Sequence, residues 1–207
     1  LTQDEITRMY NTYYSPNRVA NSNFSQIGNE EVTNGDFSQI GSEEVTNGDF
    51  ASATGWNASG GAEVRDGKAY IVGDGSVFTN ITQSGVFTSG KQYKVTVDVT
   101  INSGLGLKFQ DGANNENIGF ATTSGSYTFY FSSTSNTTLV IGRRTGGTAF
   151  NSSIDNVSVK EVGQDWSFGT GWTISGGSAS FNSSGQSANA DISQSLGVDI
   201  SGIVNVD

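Results

Sequence analysis

Between residues 62 and 162 the chain runs through about nine short segments rich in alternating apolar residues, set apart by polar turns. Successive side chains of a strand point to opposite faces. KQYKVTVDVTI (91–101) therefore places Tyr93, Val95, Val97, Val99 and Ile101 on one face, and SYTFYFS (126–132) does the same with Tyr127, Phe129 and Phe131. AEVRDGKAYIV (62–72) turns at Asp66-Gly67, a dipeptide suited to the tight hairpin turns that need positive φ. The remaining segments are VFTNITQ (77–83), LGLKF (105–109), NIGFA (117–121), TTLVIG (137–142) and IDNVSVKEV (154–162). One-sided strands at roughly 8- to 16-residue intervals need a second layer to cover them. They predict an all-β fold, a two-sheet sandwich of jelly-roll type.

Composition removes most catalytic chemistries. The 207 residues contain no Cys and no His, which excludes disulfides, thiolate nucleophiles, imidazole metal ligands and Ser-His-Asp triads. Ten Lys and Arg against twenty Asp and Glu give a net charge of −10, which repels nucleic acid and anionic membranes. No apolar run reaches the ~18 residues of a membrane span, so neither nucleic-acid binding nor membrane insertion is expected. An enzyme would have to work through paired carboxylates, and no pair has a reason to share a cleft. The chain is read as non-catalytic.

Ahead of the strands, LTQDEITRMYNTYY reads as a short helix. Thr2 and Glu5 have capping-box spacing, Ile6, Met9, Tyr10 and Tyr13 share a face, and Pro16 ends it. Next, FSQIGNEEVTNGD (24–36) and FSQIGSEEVTNGD (37–49) differ only at Asn29 and Ser42, and a third copy begins at Phe50. Such a repeat serves as a stalk, or its interchangeable copies exchange strands between subunits, because slipping by one copy changes almost no side chain. After Val162 the pattern restarts: Asp49, Phe50, Thr54, Gly55 and Trp56 recur as Asp165, Trp166, Thr170, Gly171 and Trp172. The expected organisation is a helix and tail of an upstream domain (1–23), a repeat stalk (24–49), a jelly-roll module (50–162, first strand at about 44–50) and the start of a second module (163–207). With neither an initiator Met nor a signal-peptide pattern, the chain reads as an interior piece of a longer polypeptide.

VTNGDF…TGW (45–56), ITQ (81–83), SGKQYKVTVDV (89–99), SGSYTFYF (124–131) and IDNVSVKEV (154–162) together resemble the jelly-roll carbohydrate-binding modules of the family 4, 9 and 22 type. The resemblance is to the galactose-binding-like version found in phage tail and virion-surface proteins. Leu1 to Asn11 is similar to the closing helix of laminin-G or concanavalin-like lectin domains. The resemblance implies glycan binding at an extracellular or virion surface. It also implies a structural calcium ion tying the opening strand to the closing one, with Asp49, Asp155 and Glu44 as oxygen ligands.

A sugar site needs an aromatic plate and side chains able to hydrogen-bond hydroxyl groups. The candidates are Asn114, Asn115 and Glu116 in the loop QDGANNEN, Tyr130, which points away from its Phe neighbours, and the adjacent pair Arg143 and Arg144. The expected partner is a cell-surface or extracellular glycan bound by an adhesion module. The alternative is a purely structural spacer of a phage or bacterial appendage that self-associates by strand exchange. A binding module presents an exposed aromatic plate beside amide or Arg side chains, and a spacer presents polar, featureless faces.

Overall fold

The computed structural model describes residues 1–13, 29–112, 116–134, 137–184 and 190–195. The chain divides into two compact units, Leu1–Thr33 and Asn34–Asp207. In the first, α1 (Gln3–Tyr13) starts at the expected capping box: Glu5 N–H donates to Thr2 Oγ1 (3.3 Å), and Thr2 N–H donates to Glu5 Oε2 (2.7 Å). Ile6 and Met9 on its apolar face are exposed. Pro16 and most of the first repeat copy lie outside the described residues.

The second unit is built on a two-sheet jelly-roll sandwich. Its strands in chain order are β1 (Ile40–Glu43), β2 (Asn57–Ser59), β3 (Glu63–Arg65), β4 (Lys68–Gly73), β5 (Asn80–Gln83), β6 (Gln92–Ser103), β7 (Leu107–Asp111), β8 (Glu116–Ala121), β9 (Gly125–Ser132), β10 (Leu139–Arg143) and β11 (Phe150–Val162). One sheet runs β3-β4-β11-β6-β9, and β1 joins β11; the other runs β2-β5-β10-β7-β8. All pairings are antiparallel. The predicted apolar faces meet in register: Tyr93 lies opposite Phe131, Val95 opposite Phe129 and Val97 opposite Tyr127. Across the sandwich, Phe109 of β7 packs on Phe129 of β9 with ring centroids 5.1 Å apart. Asp66 and Gly67 both take positive φ, as the hairpin turn requires.

Strand β11 serves two partners along one edge. Its first half, Phe150 to Ile154, pairs with β4, and its last residues, Lys160 and Val162, pair with β1. A break in register between Asp155 and Ser158, with Asn156 at φ 50°, separates the two stretches. Residues 40–43 thus pair into the six-stranded sheet, a few residues ahead of the first strand expected at about 44–50. The alternation carried by the second repeat copy is used as an edge strand, and Glu43 fastens it. Its carboxylate accepts hydrogen bonds from Ser158 Oγ (2.6 Å), Val159 N–H (2.7 Å) and Val45 N–H (3.1 Å). Glu43→Ala leaves the part-buried Val159 N–H without its acceptor and is expected to cost about 1–3 kcal/mol, read as a lower melting temperature.

The two repeat copies build the same turn twice. Asn34 and Phe37 have φ of 50° and 51°, and Asn47 and Phe50 have 56° and 52°. In each, the Phe N–H donates to the Asn carbonyl, at 3.0 and 3.1 Å. Each carbonyl also takes an indole N–H: Trp56 Nε1 donates to Asn47 O (3.0 Å), and Trp166 Nε1 donates to Asn34 O (3.1 Å). The rings follow, with Phe50 5.0 Å from Trp56 and Phe37 5.2 Å from Trp166. An aromatic residue at positive φ is strained and persists only where packing holds it. Here the tryptophan supplies that packing. The second copy also needs its glycine, because a Cβ on Gly48 would run into the Val157 carbonyl oxygen.

Beyond β11, β12 (Ser167–Phe168), β13 (Trp172–Ser175), β14 (Ser178–Phe181) and β15 (Ile192–Ser193) form two small antiparallel pairs, β12 with β15 and β13 with β14. They lean on the sandwich through the Trp172 carbonyl, which accepts from Gln92 Nε2 (2.8 Å) and Ser132 Oγ (3.4 Å).

Candidate functional site

The outward face of the five-stranded sheet follows from its register. Ile81, Ile141 and Phe109 are fully buried, so Asn80, Gly142 and Lys108, one residue along, point away from the core. Ser59 and Phe120 extend this row to the sheet edges. The next outward row contains Asn57, Thr82 and Val140, and it reaches Asn117 on β8.

Two aromatic rings stand exposed on this face, Phe78 at 44% and Phe120 at 41% of full exposure. Phe78 lies over Gly142: a Cβ there would sit 2.8 Å from its Cζ and 3.0 Å from Asn80 Cβ. The missing side chain is the bed for the ring. Thr79, wholly buried, holds the preceding backbone: its hydroxyl donates to Gly60 O (2.6 Å), and its carbonyl accepts from Arg143 N–H (3.1 Å). Phe120 rises from β8, directly opposite Lys108. The plates stand over β10 and β8, two strand spacings or about 10 Å apart, room for a chain of sugars instead of one ring.

Polar groups surround the plates. Lys108 Nζ is 5.9 Å and Arg143 Cζ 6.0 Å from the Phe78 centroid, while Arg144 Cζ is 5.1 Å from that of Phe120. The loop bearing the arginines is pinned by Arg144 N–H to Gly106 O and Gly147 N–H to Gly75 O, both 3.0 Å. Among the described residues, the Asn57, Asn80 and Asn117 amides are not committed to side-chain hydrogen bonds within the protein. Flat apolar rings flanked by uncommitted amides are the arrangement that receives the C–H face and the hydroxyl groups of a pyranose.

The candidates read from the sequence divide between two faces. Arg143 and Arg144 belong to the aromatic face. Tyr130 lies on the outward side of the other sheet, opposite Lys94 and in line with Lys160. That side also carries Tyr70, but Arg65 sits 3.7 Å over its ring and is itself paired with Glu63 and Asp66. Glu116 begins β8, and Asn114 and Asn115 lie outside the described residues. Sequence reading missed Phe78, Phe120, Lys108 and the three amides. A signal was present: Phe78 falls in phase with Asn80 and Thr82, the polar side of its segment.

Two of the three carboxylates that the resemblance nominates for calcium have partners within the protein. Asp155 Oδ2 meets Lys68 Nζ at 3.5 Å, and its Oδ1 accepts from Asn156 N–H (2.8 Å). Exposed Asp49 accepts from Ala51 N–H (3.2 Å), and Glu44 takes part through its backbone N–H, which donates to Val159 O (2.9 Å). Among the described residues no group of three or more Asp, Glu, His or Cys is placed to hold a metal ion. The opening and closing segments are tied by the Glu43 carboxylate and by the backbone bonds Glu44 N–H to Val159 O and Val157 N–H to Gly48 O, both 2.9 Å. No helix among the described residues is long and apolar enough to cross a membrane.

No family model matches the chain, and no curated protein matches it in sequence. Solved structures similar to it include carbohydrate-binding modules. The CBM22-1 xylan-binding domain of Paenibacillus barcinonensis Xyn10C aligns over 58% of this chain and 95% of its own, at 13% identity and a TM-score of 0.44. The N-terminal cellulose-binding domain of Cellulomonas fimi β-1,4-glucanase C aligns over 54% and 92%, at 17% identity and a TM-score of 0.41. An arabinose-bound α-L-arabinofuranosidase, MgGH51, aligns over 57% of this chain but only 26% of its own, at 13% identity and a TM-score of 0.41.

Proposed function

We propose that the jelly-roll module binds an extracellular or cell-surface glycan without catalysis, across the outward face of the five-stranded sheet, as part of an adhesion protein of a phage or bacterial appendage. The observation that carries this is the pair of exposed rings, Phe78 and Phe120, set among uncommitted amides. The opposite sheet has its Tyr70 ring covered by Arg65. The test is a carbohydrate array probed with the wild-type chain and with a Phe78→Ala/Phe120→Ala double variant. Binding by the wild type that the folded double variant loses supports the reading; binding retained by the variant moves the site elsewhere.

Replacing Gly142 tests the plate without touching a ring. Gly142→Ala displaces Phe78, and sugar affinity is expected to fall severalfold while Phe78 and Phe120 are both still present, measured by titration calorimetry. A calcium ion bridging Asp49 and Asp155, which the family resemblance implies, would raise the melting temperature in Ca2+ relative to chelator. Identical melts in the two conditions would remove it from the account.

A second reading, assembly by strand exchange, has its own observation. The two repeat copies form the same turn on two different tryptophans, so either copy has the conformation needed at the other's place. Deleting residues 24–36 leaves one copy. A change in mass by light scattering supports exchange, and an unchanged mass rules it out.

A further inference from the structure

We propose that the aromatic face selects acidic glycans, those whose sugars carry carboxylate or sulfate groups; this rests on the reading of that face as the glycan site. Of the ten Lys and Arg residues in the chain, three, Lys108, Arg143 and Arg144, ring the two plates. The chain carries twice as many acidic as basic residues. The ion pairs among the described residues nonetheless belong to other positions: Arg65 with Glu63 and Asp66, Lys68 with Asp155, and Lys91 with Glu161. Among the described residues, the three cations of the aromatic face have no carboxylate partner; Lys94 and Lys160 on the opposite sheet have none either, but they do not stand beside a ring as exposed as Phe78 and Phe120.

Arg143 makes the point most sharply. Its Nε and Nη1 are out of solvent and have no hydrogen-bond partner, with the guanidinium tucked against Gly146. Leaving donors of a charged group buried and unpaired is costly, and an anion reaching this half-exposed guanidinium offsets part of that cost. The acid whose charge is felt there, Asp74, is already engaged: its Oδ1 accepts from Ser76 N–H (2.8 Å) and Ser76 Oγ (2.6 Å). It tempers the positive field of Arg143 without pairing with it.

The geometry fits a sugar that stacks and is charged. A ring resting on Phe78 has Lys108 and Arg143 at its margins, and one resting on Phe120 has Arg144. A neutral sugar would use the plates and amides and leave the guanidinium groups unanswered. A uronate or sulfated sugar answers them while keeping the same stacking contact.

The experiment measures binding of the full chain to polygalacturonate and heparan sulfate and, in parallel, to neutral galactan and xylan. It compares about 0.1 M with about 1 M NaCl, between which the screening length falls from ~10 to ~3 Å. The expected result is binding to acidic chains at least about tenfold tighter than to neutral ones, weakened severalfold by salt. Lys108→Gln/Arg144→Gln is expected to lose that preference while retaining its melting temperature. Equal or tighter binding to neutral chains, unaffected by salt, overturns the proposal and leaves the glycan site standing. Silence toward every glycan from folded protein overturns both.

Discussion

Trp56→Ala is expected to lower stability by about 3–5 kcal/mol, the range for deleting a large buried aromatic residue. Against the ~5–15 kcal/mol that holds a typical domain together, this is enough to lower the melting temperature by about 6–20 °C. The ring is 6% exposed and packs on Phe50, and its N–H is the donor to the Asn47 carbonyl. Losing it opens a cavity, strips that carbonyl of its donor and frees Phe50 from the packing that holds it at φ 52°. Trp56→Phe keeps most of the volume and is expected to cost far less, about 1–2 kcal/mol. Trp166→Ala provides the control. That indole makes the same contacts to Asn34 and Phe37 but is only half-buried and lies outside the sandwich, so its removal should leave the main melting transition nearly in place. Equal losses from Trp56→Ala and Trp166→Ala would contradict this ordering.

Phe78→Ala is expected to weaken glycan binding about 10- to 30-fold, which is ~1.4–2 kcal/mol for an aromatic contact at the centre of a binding face. The melting temperature should move little, because a ring 44% exposed over a glycine contributes little to the core. Separate effects on affinity and stability distinguish a plate from a core residue. Phe109→Ala, one layer inward and fully buried, should do the reverse and lower the melting temperature about as much as Trp56→Ala while leaving the aromatic face in place. Calorimetric titration beside a thermal melt reads both quantities on each variant.

The sandwich was legible because alternation is a property of the letters themselves. Tyr93, Val95 and Val97 had to face one way, Phe131, Phe129 and Tyr127 had to face one way, and the register joins the two sets. The Asp66-Gly67 turn was legible for the same reason, since few dipeptides accept its dihedral angles. The aromatic face was not, because its residues belong to different strands whose order in the sheet is non-sequential. Asn80, Gly142, Lys108 and Phe120 become neighbours only once β5, β10, β7 and β8 are laid side by side. Phe78 was taken into a strand spanning 77–83, whereas β5 begins at Asn80 and leaves Phe78 free to fold over Gly142. Strand β1 was expected a few residues later, at about 44–50, because the repeat obscured that its second copy carries the edge strand and the Glu43 anchor.

Mapping a bound glycan onto the protein by backbone amide chemical shifts tests the central claim most directly. Titrating isotopically labelled chain with an oligosaccharide selected from the array should move the resonances of Asn80, Lys108, Phe120 and Arg144 together and leave Lys94, Tyr130 and Lys160 unchanged. Shifts confined to Lys94, Tyr130 and Lys160 would place the site on the six-stranded sheet and contradict the assignment.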